Sequence, residues 1–132
     1  MNNALDPTAE GRLSEHAVKG IALFNRGEYF EAHEELEHAW KEEPRPAREL
    51  YRGILQIAVT YLQITRRNYV GAIKMFARAR RWLAPLPDAC RGVNVAALRN
   101  DAAAARAALE ALGAERIDEF DVSQLNPVRV VN

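Results

Sequence analysis

Two side chains that could take part in chemistry, His33 and Glu37, lie four residues apart in the segment FNRGEYFEAHEELEHAW, residues 24–40. In a helix, residues four apart lie on one face, one turn from each other. An imidazole beside a carboxylate can transfer protons, help to hold a metal ion or bind a polar ligand. The pair therefore marks a candidate site, whose accessibility depends on the buried face of its helix.

The helix that carries this pair is the second of the chain, predicted over residues 28–43. At about 100° per residue its apolar side chains form one face. These residues are Tyr29, Ala32, Leu36, Ala39 and Trp40. His33 falls at the edge of that face and Glu37 lies one turn on, so we expect this pair to look into the protein. Glu34 and His38 form another pair further round, which we expect to be in water.

The third helix, predicted over residues 46–66, supplies polar side chains that could meet this pair. Its middle is apolar nearly all round, which is typical of a central, buried helix. One stripe is polar and contains Arg52, Gln56, Thr60, Gln63 and Arg67. An unpaired buried amide costs about 1–3 kcal/mol, so the stripe should face polar partners. We expect a ligand-binding cluster of His33, Glu37, Gln56, Gln63, Arg52 and Trp40 between the two helices.

This cluster has three interpretations. It could be a hydrogen-bonded network that fixes the register of two helices, a pocket for a small ligand or metal, or a catalytic centre. We favour a non-enzymatic binding or interaction module, with no catalytic residue. Glu37 would orient His33 or pair with Arg52, while Gln56 and Gln63 would hold ligand or water. The alternative is a metal-dependent or acid–base hydrolase that uses His33 and Glu37.

A metal site lacks ligands in this sequence. His33 and His38 are five apart, whereas the H-E-x-x-H motif needs histidines four apart. Glu35 and His38 have the spacing of a di-iron half-site, but no second copy follows. His33 and Glu37 supply two ligands and zinc takes four, so we predict no cofactor. A divalent metal would need a third protein ligand or a partner chain.

The remaining elements complete a single all-α domain, residues 1–132, with a core over 8–112. The first helix is predicted over 8–25, the fourth from Asn68 to just before Pro85, and the fifth over 95–112. A pattern recurs at an offset of 40 residues, which predicts two similar helical hairpins in a bundle of about five helices. Phe24, Tyr29, Ala32, Leu36 and Ala39 align with Ile64, Tyr69, Ala72, Phe76 and Ala79. The tail, 113–132, should lie against the bundle or reach a neighbouring subunit.

Charge is balanced overall but unevenly placed. With 18 basic and 18 acidic residues the formal charge is zero, which argues against nucleic acid as a partner. Residues 28–43 are mostly acidic, whereas residues 66–81 contain only basic charges. Arg67, Lys74, Arg78 and Arg81 share one face of the fourth helix, so an RNA or anion binder is a further alternative. A homodimer could bring the acidic and basic helices together. The partner itself stays unknown.

The expected cellular compartment rests on three features that the sequence lacks: a disulfide, a signal pattern and a membrane span. A single cysteine, Cys90, excludes an internal disulfide. The first residues carry no basic-then-apolar signal pattern. No apolar run approaches about 18 residues, so no membrane span is expected. We expect a cytoplasmic protein.

The segment of residues 24–40 also resembles the signature of domain-of-unknown-function family 309, a small all-helical family. Members read F-N-x-G-x-F-x-E-A-H-E-x-L-E-x-x-W, then Y-x-G-L-I-Q-x-A and an N-x-x-G-A segment. This chain supplies Tyr51, Gly53, Ile54, Leu55, Gln56 and Ala58, then Asn68, Gly71 and Ala72. The resemblance covers about residues 16–112 and implies a helical bundle without an assigned activity.

The resemblance also singles out polar positions. Those that match the family motif are Glu31, His33, Glu34, Glu37, Trp40 and Gln56. Many members carry a histidine where this chain has Gln63, and that histidine could serve as a metal ligand beside His33 and Glu37. Glutamine is a poor ligand, so this departure favours a structural or polar-ligand role.

Overall fold

Five α-helices follow one another along residues 11–131, the part of the chain that the computed structural model describes. They are α1 Glu15–Asn25, α2 Tyr29–Glu42, α3 Arg48–Thr65, α4 Tyr69–Leu83 and α5 Val95–Leu112. Two short strands, β1 Ala89–Cys90 and β2 Val93–Asn94, pair antiparallel between α4 and α5. The predicted all-α bundle is confirmed, and four of the predicted helices agree with the structure to within about two residues.

The first helix is shorter than predicted. It begins at Glu15 because the Ser14 side chain caps it, accepting a hydrogen bond from the backbone N–H of Ala17 at 3.2 Å. Gly11, three residues earlier, has a left-handed φ of 94°. The chain between these residues is therefore not helical. Residues 8–10, which the prediction also included, lie outside the described part.

The two hairpins, α1–α2 and α3–α4, turn in the same way, as the 40-residue offset predicts. A left-handed residue follows each first helix: Gly27 with a φ of 79°, and Arg67 with a φ of 59°. The backbone N–H of Gly27 donates to the carbonyl of Phe24, and that of Arg67 to the carbonyl of Ile64, each at 2.9 Å. Glycine adopts this conformation readily, whereas the Cβ of Arg67 makes it strained.

Helix α3 occupies the centre because it packs against α2 on one side and α4 on the other. Its side chains Tyr51, Ile54, Ile57 and Tyr61 have no exposed surface. Gly53 lets α4 approach closely, since a Cβ at that position would lie 2.6 Å from Cδ2 of Leu83. The structure thus confirms the central position predicted for the third helix.

Residues 113–131 fold back along the bundle. They form two 3-10 turns, Ala114–Glu119 and Val122–Gln124, and then an extended segment. The Asn25 side chain, at the end of α1, donates to the carbonyl of Val128 at 3.2 Å and accepts from its N–H at 2.8 Å. No helix within the described residues is both long and apolar enough to span a membrane.

Candidate functional site

Helices α2 and α4 pack on either side of α3, and we call the half-buried face of α3 between them the α3 groove. Its floor is a stripe of half-buried α3 side chains, namely Arg48, Arg52, Leu55, Gln56, Val59, Leu62 and Gln63. Its walls are the flanking helices, which both pack on α3. The groove therefore contains the region in which the sequence predicts a ligand-binding cluster.

The most distinctive feature of the groove is Arg52, which lies between two tryptophan rings. Its guanidinium carbon is 4.8 Å from the ring centre of Trp40 on α2 and 4.1 Å from that of Trp82 on α4. A guanidinium stacks well on such rings, by dispersion and by attraction to their π electrons. We call these three residues the Trp–Arg–Trp stack. It joins all three helices, and the sequence predicts only two of its members.

A second arginine lies beside the stack. The guanidinium carbon of Arg48, one turn before Arg52, is 5.0 Å from the ring centre of Trp40. Nε of Arg52 is 3.7 Å from a carboxylate oxygen of Glu49, which is too long for a hydrogen bond. One carboxylate thus faces two guanidinium groups, and the floor of the groove at this end is positively charged.

Three buried polar atoms around the stack have no hydrogen-bond partner within the described residues. They are Nε1 of Trp40, Nε of Arg48 and Oε1 of Gln56. Leaving a buried donor or acceptor unpaired costs roughly 1–3 kcal/mol, so such atoms are usually satisfied by water or by a bound group. Two donors and one acceptor are therefore left for water or a bound group to satisfy.

His33 and Glu37, the first pair that the sequence predicts as a candidate site, do not point toward a common position in the structure. His33 is half-buried, its Nδ1 is within hydrogen-bonding distance of the carbonyl of Phe30, and its ring packs edge-on to the Phe30 ring at 5.0 Å. Glu37 is exposed and pairs with Lys41 at 3.8 Å. The expected inward orientation of Glu37 is wrong, because it lies about 100° round the helix from the fully buried Leu36.

The other predicted contacts of the cluster also differ from expectation. Arg52 has Glu49, not Glu37, as its nearest carboxylate. Gln63 accepts a hydrogen bond from Nδ2 of Asn68 at 2.9 Å, which ties it to the α3–α4 turn. Trp40 and Arg52 do meet, and Gln56 lies one turn along α3 from Arg52. Whether the six predicted residues bind a ligand remains a prediction.

The wall of the groove formed by α4 is basic. Lys74, Arg78 and Arg81 are exposed on the side of α4 that also carries Trp82. None of the three forms an ion pair within residues 11–131. These three residues belong to the basic face that the sequence predicts on the fourth helix, and they flank the α3 groove. The fourth predicted member, Arg67, lies outside α4, in the α3–α4 turn.

A histidine cluster between α1 and α2 was not predicted. The rings of His16 and His38 stack at 5.1 Å, and Nδ1 of His16 lies 2.7 Å from Oε1 of Glu35. This hydrogen bond raises the pKa of His16 and lowers the pKa of Glu35. Glu35, His38 and Glu42 share one side of α2, so their spacing was a usable signal. No three metal-ligating side chains converge on a metal position anywhere in the described residues.

A buried ion pair was also missed. Nη1 of Arg91 donates to Oε1 of Glu43 at 2.7 Å, to the Tyr51 hydroxyl at 3.0 Å and to the Arg12 carbonyl at 3.2 Å. Only 5% of the Arg91 side chain and 7% of the Glu43 side chain are exposed. Burial acts to raise the pKa of Glu43, but hydrogen bonds from Arg45 and Arg91 outweigh it and hold the pKa below its usual value. The pair ties the end of α2 to the β1–β2 turn.

A concavity of about 660 Å³ lies between α4 and α5 and away from the stack. Its floor contains Phe76, Leu83 and Ala102, which are 3%, 1% and 9% exposed. Because these side chains are already covered, a ligand there would bury little further apolar surface. Unpaired polar atoms make the α3 groove the better candidate.

Comparison with known sequences finds a family model that matches part of this chain. Residues 17–75 match the model of a family described as "Domain of unknown function (DUF309)". A Bacillus subtilis (strain 168) protein, described as "Uncharacterized protein YpuF", is 42% identical over 57 residues, or 42% of this chain. The match spans 33% of that relative's length. The resemblance predicted from the motifs is confirmed over residues 17–75, which contain His33, Trp40, Arg52 and Gln56.

Proposed function

We propose that the chain is a non-enzymatic binding module and that the α3 groove is its partner-binding face. One observation carries the proposal: Trp40, Arg48 and Gln56 each have a buried polar atom without a partner in the described residues. Trp40 contacts Arg52, and Arg48 and Gln56 lie one turn before and after it on α3. Such atoms carry a desolvation cost until water or a bound group pairs with them, and a partner in the groove would supply that pairing.

The geometry supports binding more than hydrolysis. A hydrolase that used His33 and Glu37 would need both groups at one reacting centre. Nδ1 of His33 is instead occupied by a carbonyl of its own helix, and Glu37 pairs with Lys41 in solvent. Glu37 therefore contributes to the rim of the groove. The basic face of α4 is the opposite rim, so an anion bound there would belong to the same site.

Site-specific photo-crosslinking in cells of the source organism tests this proposal. A benzophenone amino acid replaces Lys74, on the groove rim, or Val18, which is 55% exposed on α1, outside the groove. We expect a discrete protein adduct from position 74 that is absent from position 18 and is lost when Arg52→Gln is added. The same adduct from both positions, or none from position 74, would refute a binding face at this groove.

A further inference from the structure

We infer that Arg52 is a preorganised carboxylate receptor, so that the partner of the α3 groove is a protein with an acidic segment. This inference rests on the proposed function and names the chemistry of its ligand. It assigns to the Trp–Arg–Trp stack a role in recognition as well as in joining α2, α3 and α4.

The stack fixes the direction of the Arg52 donors. Its guanidinium carbon lies 4.8 Å from the centre of the Trp40 ring and 4.1 Å from that of the Trp82 ring, which limits the directions in which its N–H groups can reach a partner. No hydrogen bond of this side chain falls within the described residues, and 24% of its surface is exposed. A planar fork that is held in place and unused matches a carboxylate, which it can bind through two parallel hydrogen bonds.

Arg48 supplies a second point of attachment. It lies four residues before Arg52 on the same stripe, which corresponds to a rise of about 6 Å along α3. Its Nε is buried without a partner within residues 11–131, beside the same Trp40 ring. Two carboxylates about 6–7 Å apart would fit both arginines, and this is the spacing of acidic residues four apart in a helix or two apart in a strand.

The surrounding charges favour an acidic protein over a nucleic acid. Lys74, Arg78 and Arg81 on the α4 rim have no ion-pair partner in the described part of the chain and would attract an acidic segment. The whole chain has no net charge, whereas nonspecific nucleic-acid binding depends on excess positive charge.

The NMR signals of the indole N–H groups report directly on binding at the Trp–Arg–Trp stack, because the chain has two tryptophans and both belong to the stack. The ¹⁵N-labelled full chain is titrated at low salt with end-blocked hexaglutamate, with hexalysine and with a 12-nucleotide single-stranded RNA. Trp40→Phe and Trp82→Phe assign the two signals. We expect saturable shifts with hexaglutamate alone, and about tenfold weaker binding for Arg52→Lys, which keeps the charge but loses the fork.

Matched controls decide between recognition and general electrostatics. Arg106→Lys, on α5 and outside the groove, should bind hexaglutamate as the wild type does. Equal shifts with hexalysine, tighter binding of the RNA, undiminished binding by Arg52→Lys or no saturable shift would each overturn the inference. Should Arg52→Lys fail to fold, Arg48→Lys takes its place with the same expectation. A crosslink at position 74 without hexaglutamate binding would remove this inference alone, whereas absence of both would remove the binding face as well.

Discussion

Replacing Glu43 by alanine should destabilise the fold by about 3 kcal/mol, because it leaves the Arg91 guanidinium buried without its carboxylate. Removing one partner of a buried ion pair costs roughly 3–5 kcal/mol. The lower end applies here, since Arg91 keeps the Tyr51 hydroxyl at 3.0 Å and the Arg12 carbonyl at 3.2 Å. Glu43→Gln keeps an acceptor of the same shape and should cost about half as much.

Urea unfolding at pH 7, followed by tryptophan fluorescence, measures this loss. Arg45→Ala is the matched control: it also contacts Glu43, but its side chain is 72% exposed, and we expect a change below about 0.5 kcal/mol. The pKa of Glu43 is lowered in the fold, so its contribution is present above the unfolded pKa near 4.5 and is lost as the pH falls through the folded pKa. A Glu43→Ala protein as stable as the wild type at pH 7 would refute the role assigned to the pair.

Three further predictions concern the turns, the histidine cluster and metal. Arg67→Gly should raise the free energy of unfolding by about 0.5–1 kcal/mol, because it removes a strained left-handed residue. Gly27→Ala, at the equivalent turn, should lower the free energy of unfolding by about 1 kcal/mol. Urea unfolding of both variants tests this, and a destabilised Arg67→Gly protein would contradict it. NMR titration should show the pKa of His16 above 6.5 and returned toward that value by Glu35→Gln; the stabilisation is then present below pH 6.5 and lost as the pH rises through the raised pKa. Protein purified without affinity metals should contain no stoichiometric divalent metal, and metal that disappears in His33→Ala would instead favour the hydrolase alternative.

Local signals explain why most helix bounds could be predicted. Gly27 ends the first hairpin turn, Pro44 and Pro46 separate α2 from α3, and Asn94 caps α5 by accepting from the backbone N–H of Ala97 at 2.9 Å. Each signal acts within about four residues, which is the range that a sequence pattern describes. Helix α1 begins later than the apolar pattern predicts because the Ser14 cap sets its first residue.

The site was only partly predictable, because its central contacts join distant segments. Helical periodicity brought Trp40 and Arg52 to facing sides of their helices, and the structure has them in contact. Periodicity does not say which helix packs against the other side of Arg52, so the sequence does not predict its contact with Trp82. The partners Glu43 and Arg91 are 48 residues apart, and no local pattern connects them.

The link between Asn25 and Val128 has a consequence for how the chain assembles. It joins residues 103 positions apart, whereas each hairpin is built from neighbours in sequence. Closing so long a loop has the larger entropic cost, and during synthesis it must wait until residue 128 has emerged. The two hairpins can therefore form first, with the C-terminal segment fastening last, so α1 should open more readily than α3 in hydrogen exchange once that segment is removed.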